Sequence, residues 1–484
     1  MSTQGRAMIA DKACTRCSQS KRGCDRAVPG CGRCTRIRRR CEYEVSKTSR
    51  LSPPPSQSPG PGTFLVSEPT APNQLKNATI QKLEPLTPES AVAAYRRAVE
   101  PWFPIAYRLQ DRLHPTWDET SLDVALLCLS ILLLTTSPSM NVNSDGKTSE
   151  LETLYLQTKS SLALAEGLGL NSFPIVQSRI LITLFEVSHG FYPAAYISIG
   201  ATVRAVDALE DHPTGDVLQP HGSAGAVSEE ETILTWCGIL VLDRYIATES
   251  GPRSSLTRSR TAWLHNLLKP ALCPTHEPNQ DKNSPRARFA RLVEASAMLD
   301  KIHTTINSPT SEQIFNLEEV MLTVKTSTTL QTLLTEEILA EDHLYSGTLG
   351  LCHIALLLAF ENGTKISFSA SNATENWNSL ATTSLLSILS TITSTVEPFT
   401  VGTRSIDFNS FPPLVTFLVY KAAMITTERL SRGLDAANDD GMARLRTLRK
   451  FLRIVGKRWL SCERYLKLLD EDTTPRMLKA IEQG

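Results

Sequence analysis

A 484-residue chain that is 41% hydrophobic has apolar material for a large core and enough length for two or three domains. Its formal net charge of zero hides a division: residues 1–50 hold 13 Lys and Arg against 4 Asp and Glu, a net of +9, and the remainder holds 37 against 46, a net of −9. The N-terminal residues lack the apolar core of a secretion signal, and the longest apolar run, Val124 to Leu134, is broken by Ser130 and too short for a bilayer, so secretion and a membrane partner are not expected.

Six of the 11 cysteines fall between Cys14 and Cys41, as two copies of C-x2-C-x6-C, CTRCSQSKRGC and CGRCTRIRRRC. A closed structural zinc site takes four thiolates. One zinc would leave two cysteines over, and two zincs need eight ligand positions, which six cysteines supply only if two of them bridge. The repeat nominates Cys14 and Cys31, each opening its C-x2-C turn. One metal would then take Cys14, Cys17, Cys24 and Cys31, and the other Cys31, Cys34, Cys41 and Cys14. A disulfide scaffold needs an oxidising compartment, and iron–sulfur sites use four cysteines. A zinc module that binds protein or RNA stays open on spacing alone.

The pattern resembles the fungal zinc binuclear cluster, the DNA-binding module of Zn2Cys6 transcription factors. The resemblance covers the six cysteines, the Cys24-Asp25 step, Pro29 between the repeats and Tyr43 after the last cysteine. It implies two Zn2+ per chain and a small zinc-stabilised domain of two short helices, one after Cys14 and one after Cys31, with Pro29 turning the chain between them. It also assigns base reading to the first helix, where Lys21 would face a CGG triplet with Arg22 and Arg16 beside it. Many members carry further basic residues where this chain has Ser18, Ser20 and Gly23. The run containing Arg38 and Arg39 is expected to meet phosphates, which carry no sequence information.

Residues 46–90 hold nine prolines and seven serines, the composition of a linker. Leu75, Ile80, Leu83 and Leu86 keep no heptad there, so a zipper is not expected. The expected division is 1–50 cluster domain, 51–90 flexible, disordered linker, and 91–484 a large all-α regulatory domain. In that last part Ser149-x-x-Glu152 and Ser228-x-x-Glu231 read as capping boxes. Pro174, Pro193 and Pro285 read as first-turn prolines. Helices are expected near 312–334, 348–361, 379–395, 411–430 and 440–469, the last as one element. The other five cysteines, Cys128, Cys237, Cys273, Cys352 and Cys462, share no spacing and read as small core residues.

Three weaker motifs resemble the regulatory domain of the same fungal proteins: Trp102-Phe-Pro-Ile with Leu122–Leu134, Phe191-Tyr-Pro-Ala-Ala-Tyr, and Glu229 to Gly251 with Leu242-Asp-Arg-Tyr245. The acidic stretch Leu334 to Tyr345 reads as a solvated helix end before it reads as an activation surface. No zincin motif, phosphate loop or nucleophile elbow occurs, so an enzyme is not expected. His189 reads as a C-terminal helix cap. The resemblance implies a nuclear regulator of RNA polymerase II transcription, with double-stranded DNA and the transcription machinery as partners and a homodimer allowed. Similar chains are often encoded beside secondary-metabolite biosynthetic genes, so the resemblance further implies a pathway-specific regulator of such a gene cluster. The alternative is a helical adaptor whose zinc module binds protein or RNA.

Overall fold

The structure, a computed structural model, describes residues 10, 12–19, 22–28, 30–36, 41–43, 70–138, 149–211, 229–258, 284–341, 346–365, 372–409, 411–434 and 440–474. The chain forms two units, Met1–Glu68 and Pro69–Gly484. Pro29, Lys21, Arg38, Arg39, Ser228 and Cys273 lie outside the described residues.

In the first unit, α1 (Thr15–Gln19) and α2 (Gly32–Arg36) each begin one residue after a cysteine, Cys14 and Cys31. Five residues cannot sustain an isolated helix in water. Here Cys14, Cys17, Cys31 and Cys34 turn inward and form the buried centre, so sulfur stands where a small domain would otherwise need hydrocarbon.

The second unit is helical, as its periodicity predicts, with no strand among the described residues. Its first helices correct the expected linker boundary. Helix α3 (Ala71–Leu83) and the first three residues of α4 (Pro88–Ala98) occupy positions read as linker. The prolines misled: Pro72 and Pro88 sit in first turns, where a missing N–H costs nothing. Thr87 and Ser90 close a reciprocal cap, with Thr87 N donating to Ser90 Oγ at 2.9 Å and Ser90 N to Thr87 Oγ1 at 3.2 Å. Four-residue spacing puts Leu75, Thr79 and Leu83 on one buried face of α3, which packs on α6 (Leu122–Thr135). Only residues 51–69 of that stretch have no described fold.

Short α5 (Leu109–Arg112) leads into α6, which is buried on nearly every side; that explains why its residues are almost all apolar. Helix α7 (Glu150–Gly167) is capped by the Ser149 side chain, which accepts from Glu152 N at 3.1 Å. Helix α8 (Phe173–Ser188) lies against α6 and α7, and α9 (Ala194–Asp211) and α10 (Glu229–Glu249) close over α8. Helix α11 (Pro285–Asn307) packs on α10 and begins the second half of the unit. There α13 (Gly347–Lys365) is central, with α11, α12 (Gln313–Glu341), α14 (Asn372–Val401) and α15 (Val415–Ser431) around it. Part of the acidic stretch 334–345 lies in α12 and the rest outside the described residues.

The expected single helix over 440–469 is two, α16 (Asp440–Val455) and α17 (Ser461–Asp472). The chain turns at Gly456, whose N–H donates to Leu452 O at 2.8 Å, and α17 packs back on α16. Apolar spacing runs through the turn because Trp459 and Cys462 still face the core. A second difference concerns α14: its stretch Asn376–Val401 is long and apolar enough to cross a membrane by length and composition, although Ser and Thr interrupt every apolar run. Trp377, Ala381, Leu385, Leu389, Ile392 and Val396 bury one side of it against the unit's core, while Ser379, Thr383, Ser387 and Ser390 face outward.

The motifs near residues 191 and 242–249 build a polar seam through this core. Buried Glu249 accepts from Tyr192 Oη, from Tyr465 Oη at 2.7 Å and from Arg464 at 3.0 Å, which joins α10 to α17. Burial lifts its carboxyl above the usual range despite those donors. Asp243 accepts from Thr257 N and Oγ1 at 2.8 and 2.7 Å, and Arg244 donates to Ser296 Oγ at 2.8 Å. These contacts run between elements, so they hold helices together. His189 is the C-cap of α8, its Nδ1 3.0 Å from Phe185 O, and burial pushes its pKa down to about 3. It is a neutral cap, so the helix dipole gains no charge from it.

Candidate metal centre

The C-x2-C turns open α1 and α2, and a helical turn places the side chains of residues three apart on the same side. Cys14 and Cys17 therefore converge from one turn, and Cys31 and Cys34 from the other. Cys24 and Cys41 reach the centre from the segments that follow, and both are half-buried. Two groups of four sulfurs result: Cys14, Cys17, Cys24 and Cys31, then Cys14, Cys31, Cys34 and Cys41. Within each group all sulfurs lie within 4.8 Å of one another, and Cys14 and Cys31 belong to both.

The spacing discriminates between chemistries. Cys14 Sγ is 3.8 Å from Cys31 Sγ and from Cys34 Sγ, and Cys17 Sγ is 3.8 Å from Cys31 Sγ. A disulfide would need about 2.05 Å. A tetrahedron of sulfurs about 2.3 Å from a central ion has edges of about 3.8 Å. The donor set and its spacing thus fit thiophilic metal ions, and the cysteines are unpaired as thiols.

Electrostatics point the same way. The Cys17 backbone N–H favours the Cys14 thiolate, but burial and the neighbouring sulfurs outweigh it and raise the Cys14 thiol. Cys31 is pushed up to about 12, burial and adjacent thiols overcoming the Cys34 N–H 3.4 Å away. Cys24 moves down to about 7, favoured by the backbone N–H groups of Cys14 and Arg26 over its burial. Cys41 is lowered chiefly by the Cys31 N–H, 3.2 Å from its sulfur. Sulfurs this close cannot all ionise together without a cation, and a cation held among them would deprotonate them.

Several supports were not legible as such in the sequence. Asp25 accepts the Gly32 N–H on both oxygens, at 3.0 and 2.8 Å, tying the segment after Cys24 to the start of α2. Tyr43 packs against the sulfur centre and donates to Ala27 O at 2.8 Å. Thr15 N donates to Glu42 O at 2.9 Å, fastening the start of α1 to the end of the module. Arg26 adopts φ 59°, a left-handed conformation that redirects the chain after Asp25.

Of the residues expected to meet DNA, Arg16 lies exposed on α1. Arg22 is exposed but lies past α1, its N–H closing a turn onto Cys17 O at 3.0 Å, which corrects its expected place on that helix. Lys21, Arg38 and Arg39 fall outside the described residues, so their side chains carry no geometry here.

No family model matches the chain, and no solved structure matches it. The chain is similar to the transcription factor BOA15 of Botryotinia fuckeliana (strain B05.10), with 32% identity over 122 residues. That match covers 24% of this chain and 64% of the relative's length.

Proposed function

We propose that the chain is a sequence-specific, DNA-binding regulator of RNA polymerase II transcription, with a zinc binuclear cluster as its reading head. The observation that carries this is the pair of four-sulfur groups sharing Cys14 and Cys31. Two Zn2+ ions would be held there, Cys14 and Cys31 bridging, Cys17 and Cys24 completing one site and Cys34 and Cys41 the other. Bound zinc would offset four of the six thiolate charges, leaving the head still strongly basic, and would lock α1 and α2, since binding and folding are one event in a module this small. The resemblance to a protein named as a transcription factor supports the regulatory reading. The net charge of +9 on residues 1–50 suits a polyanion.

On this reading the head works in the nucleus and reads CGG-type half-sites. Lys21 would donate to guanine O6 or N7 in the major groove, with Arg16 and Arg22 nearby, and Arg38 and Arg39 would meet phosphates. A pathway-specific regulator of biosynthetic genes follows from the family resemblance alone. The helical unit would carry contacts to the transcription machinery and any homodimer interface.

Zinc-loaded full chain, titrated against duplexes with and without a CGG triplet, tests the reading. We expect preference for the CGG duplex that chelation abolishes. Lys21→Ala should shrink that preference by about 1–3 kcal/mol, and Arg39→Ala should weaken both duplexes alike. Equal binding to both duplexes by the zinc-loaded chain would refute sequence-specific reading.

A further inference from the structure

The helical unit as a whole is acidic, yet residues 440–458 carry seven Lys and Arg and one Asp. Two of the seven are accounted for inside the fold. Arg449 is buried and pairs with Asp470. Arg458 is buried and donates to Leu134 O and Thr136 O, at 2.6 and 2.9 Å, capping the C-terminal end of α6. The others include Lys450, Arg453 and Lys457, all three exposed. They stand at i, i+3 and i+7, which is one side of a helix, with Lys457 in the turn just beyond α16. Among the described residues none of the three pairs with a carboxylate.

Two ordinary explanations fall short. Cations in the last turn of a helix offset its dipole, which accounts for Arg453 and Lys457, but Lys450 lies more than a turn before the end. Solvation of an amphipathic face needs polar residues, not three charges of one sign side by side in a unit with net negative charge. From Lys450 to Lys457 the stripe spans about 10 Å at helical rise.

We infer that Lys450, Arg453 and Lys457 form a phosphate-contacting surface by which the helical unit grips DNA beside the site read by the cysteine module, without reading sequence. Charge complementarity selects a polyanion. An acidic peptide of the amphipathic kind anchors apolar side chains in a groove, and beside these cations α16 offers only half-buried Thr447 and Ile454. A DNA backbone needs charge alone. Reach does not forbid the arrangement: the 26 residues between Tyr43 and Thr70 can extend to at most about 90 Å. The inference rests on the proposal that the first unit binds DNA, but its test is separable from it.

The test is a salt series with the zinc-loaded full chain on a short duplex of about 16 base pairs and a long one of about 60, both with a central CGG site. The variants are Lys450→Gln/Arg453→Gln/Lys457→Gln and the charge-keeping Lys450→Arg/Lys457→Arg. Losing three phosphate contacts should reduce the slope of log affinity against log salt by about 2–3 on the long duplex. It should leave the short duplex and the CGG preference unchanged, and the charge-keeping variant should behave as the parent. An unchanged slope on the long duplex overturns the inference. So does an equal fall on both duplexes, a loss of slope in the charge-keeping variant, or loss of binding to polyglutamate with the DNA slope intact, which would assign the stripe to an acidic protein. If the chain shows no CGG preference but the glutamine variant still loses slope on the long duplex, the reading head has been misassigned and the stripe has not.

Discussion

Asp25 holds the Gly32 N–H with both carboxylate oxygens, and a methyl group built on Gly32 would stand 2.6 Å from Asp25 Oδ2. The contact ties the two halves of the cysteine module at the point where α2 begins. Asp25→Ala should cost about 0.5–2 kcal/mol, as loss of a side-chain cap does, and metal competition on residues 1–50 would read it as weaker zinc binding. Gly32→Ala should do the same by displacing the carboxylate. Unchanged affinity in both would show the contact to be incidental.

The shared and unshared cysteines should fail differently. Cys14→Ala or Cys31→Ala removes a sulfur common to both groups and should abolish binding of both metal equivalents. Cys24→Ala or Cys41→Ala should first cost one. Metal content per chain by elemental analysis, with cadmium NMR to report bridged pairs, distinguishes the cases. A wild-type chain holding a single zinc would overturn the two-site arrangement.

Residues 71–90 belong to the helical unit, so truncations should show it. A fragment of residues 70–484 should fold as the intact unit does. A fragment of residues 91–484 exposes the α6 surface that Leu75 and Leu83 cover, the latter fully buried. Burial of a leucine side chain contributes about 1.5–3 kcal/mol, so the shorter fragment should be less stable by several kcal/mol in urea unfolding. Equal midpoints would return α3 to the linker.

Stability of the helical unit should fall with acid. Burial holds His189 near pKa 3 and His353 near pKa 4, below the ordinary 6.5. The unfolded chain therefore binds protons that the native state refuses. The contribution is absent above about pH 6.5, and below it each histidine costs up to about 1.4 kcal/mol per pH unit until its native pKa is reached. Urea midpoints should drop between pH 7 and pH 5, and His353→Gln should flatten that fall. A pH-independent midpoint across this range would contradict the buried, neutral state of both rings.

The cysteine module and the helical class of the rest were legible from local patterns in the chain. Ligand spacing in C-x2-C-x6-C is local, and counting sulfurs against tetrahedral sites needs no tertiary information. Helical periodicity and side-chain caps such as Ser149 and Ser284 are local too, each within a turn of the residue it serves. Where helices begin, end and face depended on packing between distant segments. Pro72 and Pro88 read as linker until α6 offered an apolar surface for Leu75 and Leu83, because a proline in a first turn and a proline in a coil look alike in sequence. The break at Gly456 was invisible because both sides of the turn bury apolar residues in one core. The roles of Asp25, Tyr43 and Arg458 also depended on partners brought close by folding: Asp25 meets Gly32 seven residues on, Tyr43 meets Ala27 16 residues back, and Arg458 meets Leu134 324 residues away. A hydrogen bond across such separations leaves no periodic mark in the chain; it exists only once packing has brought the donor to its acceptor.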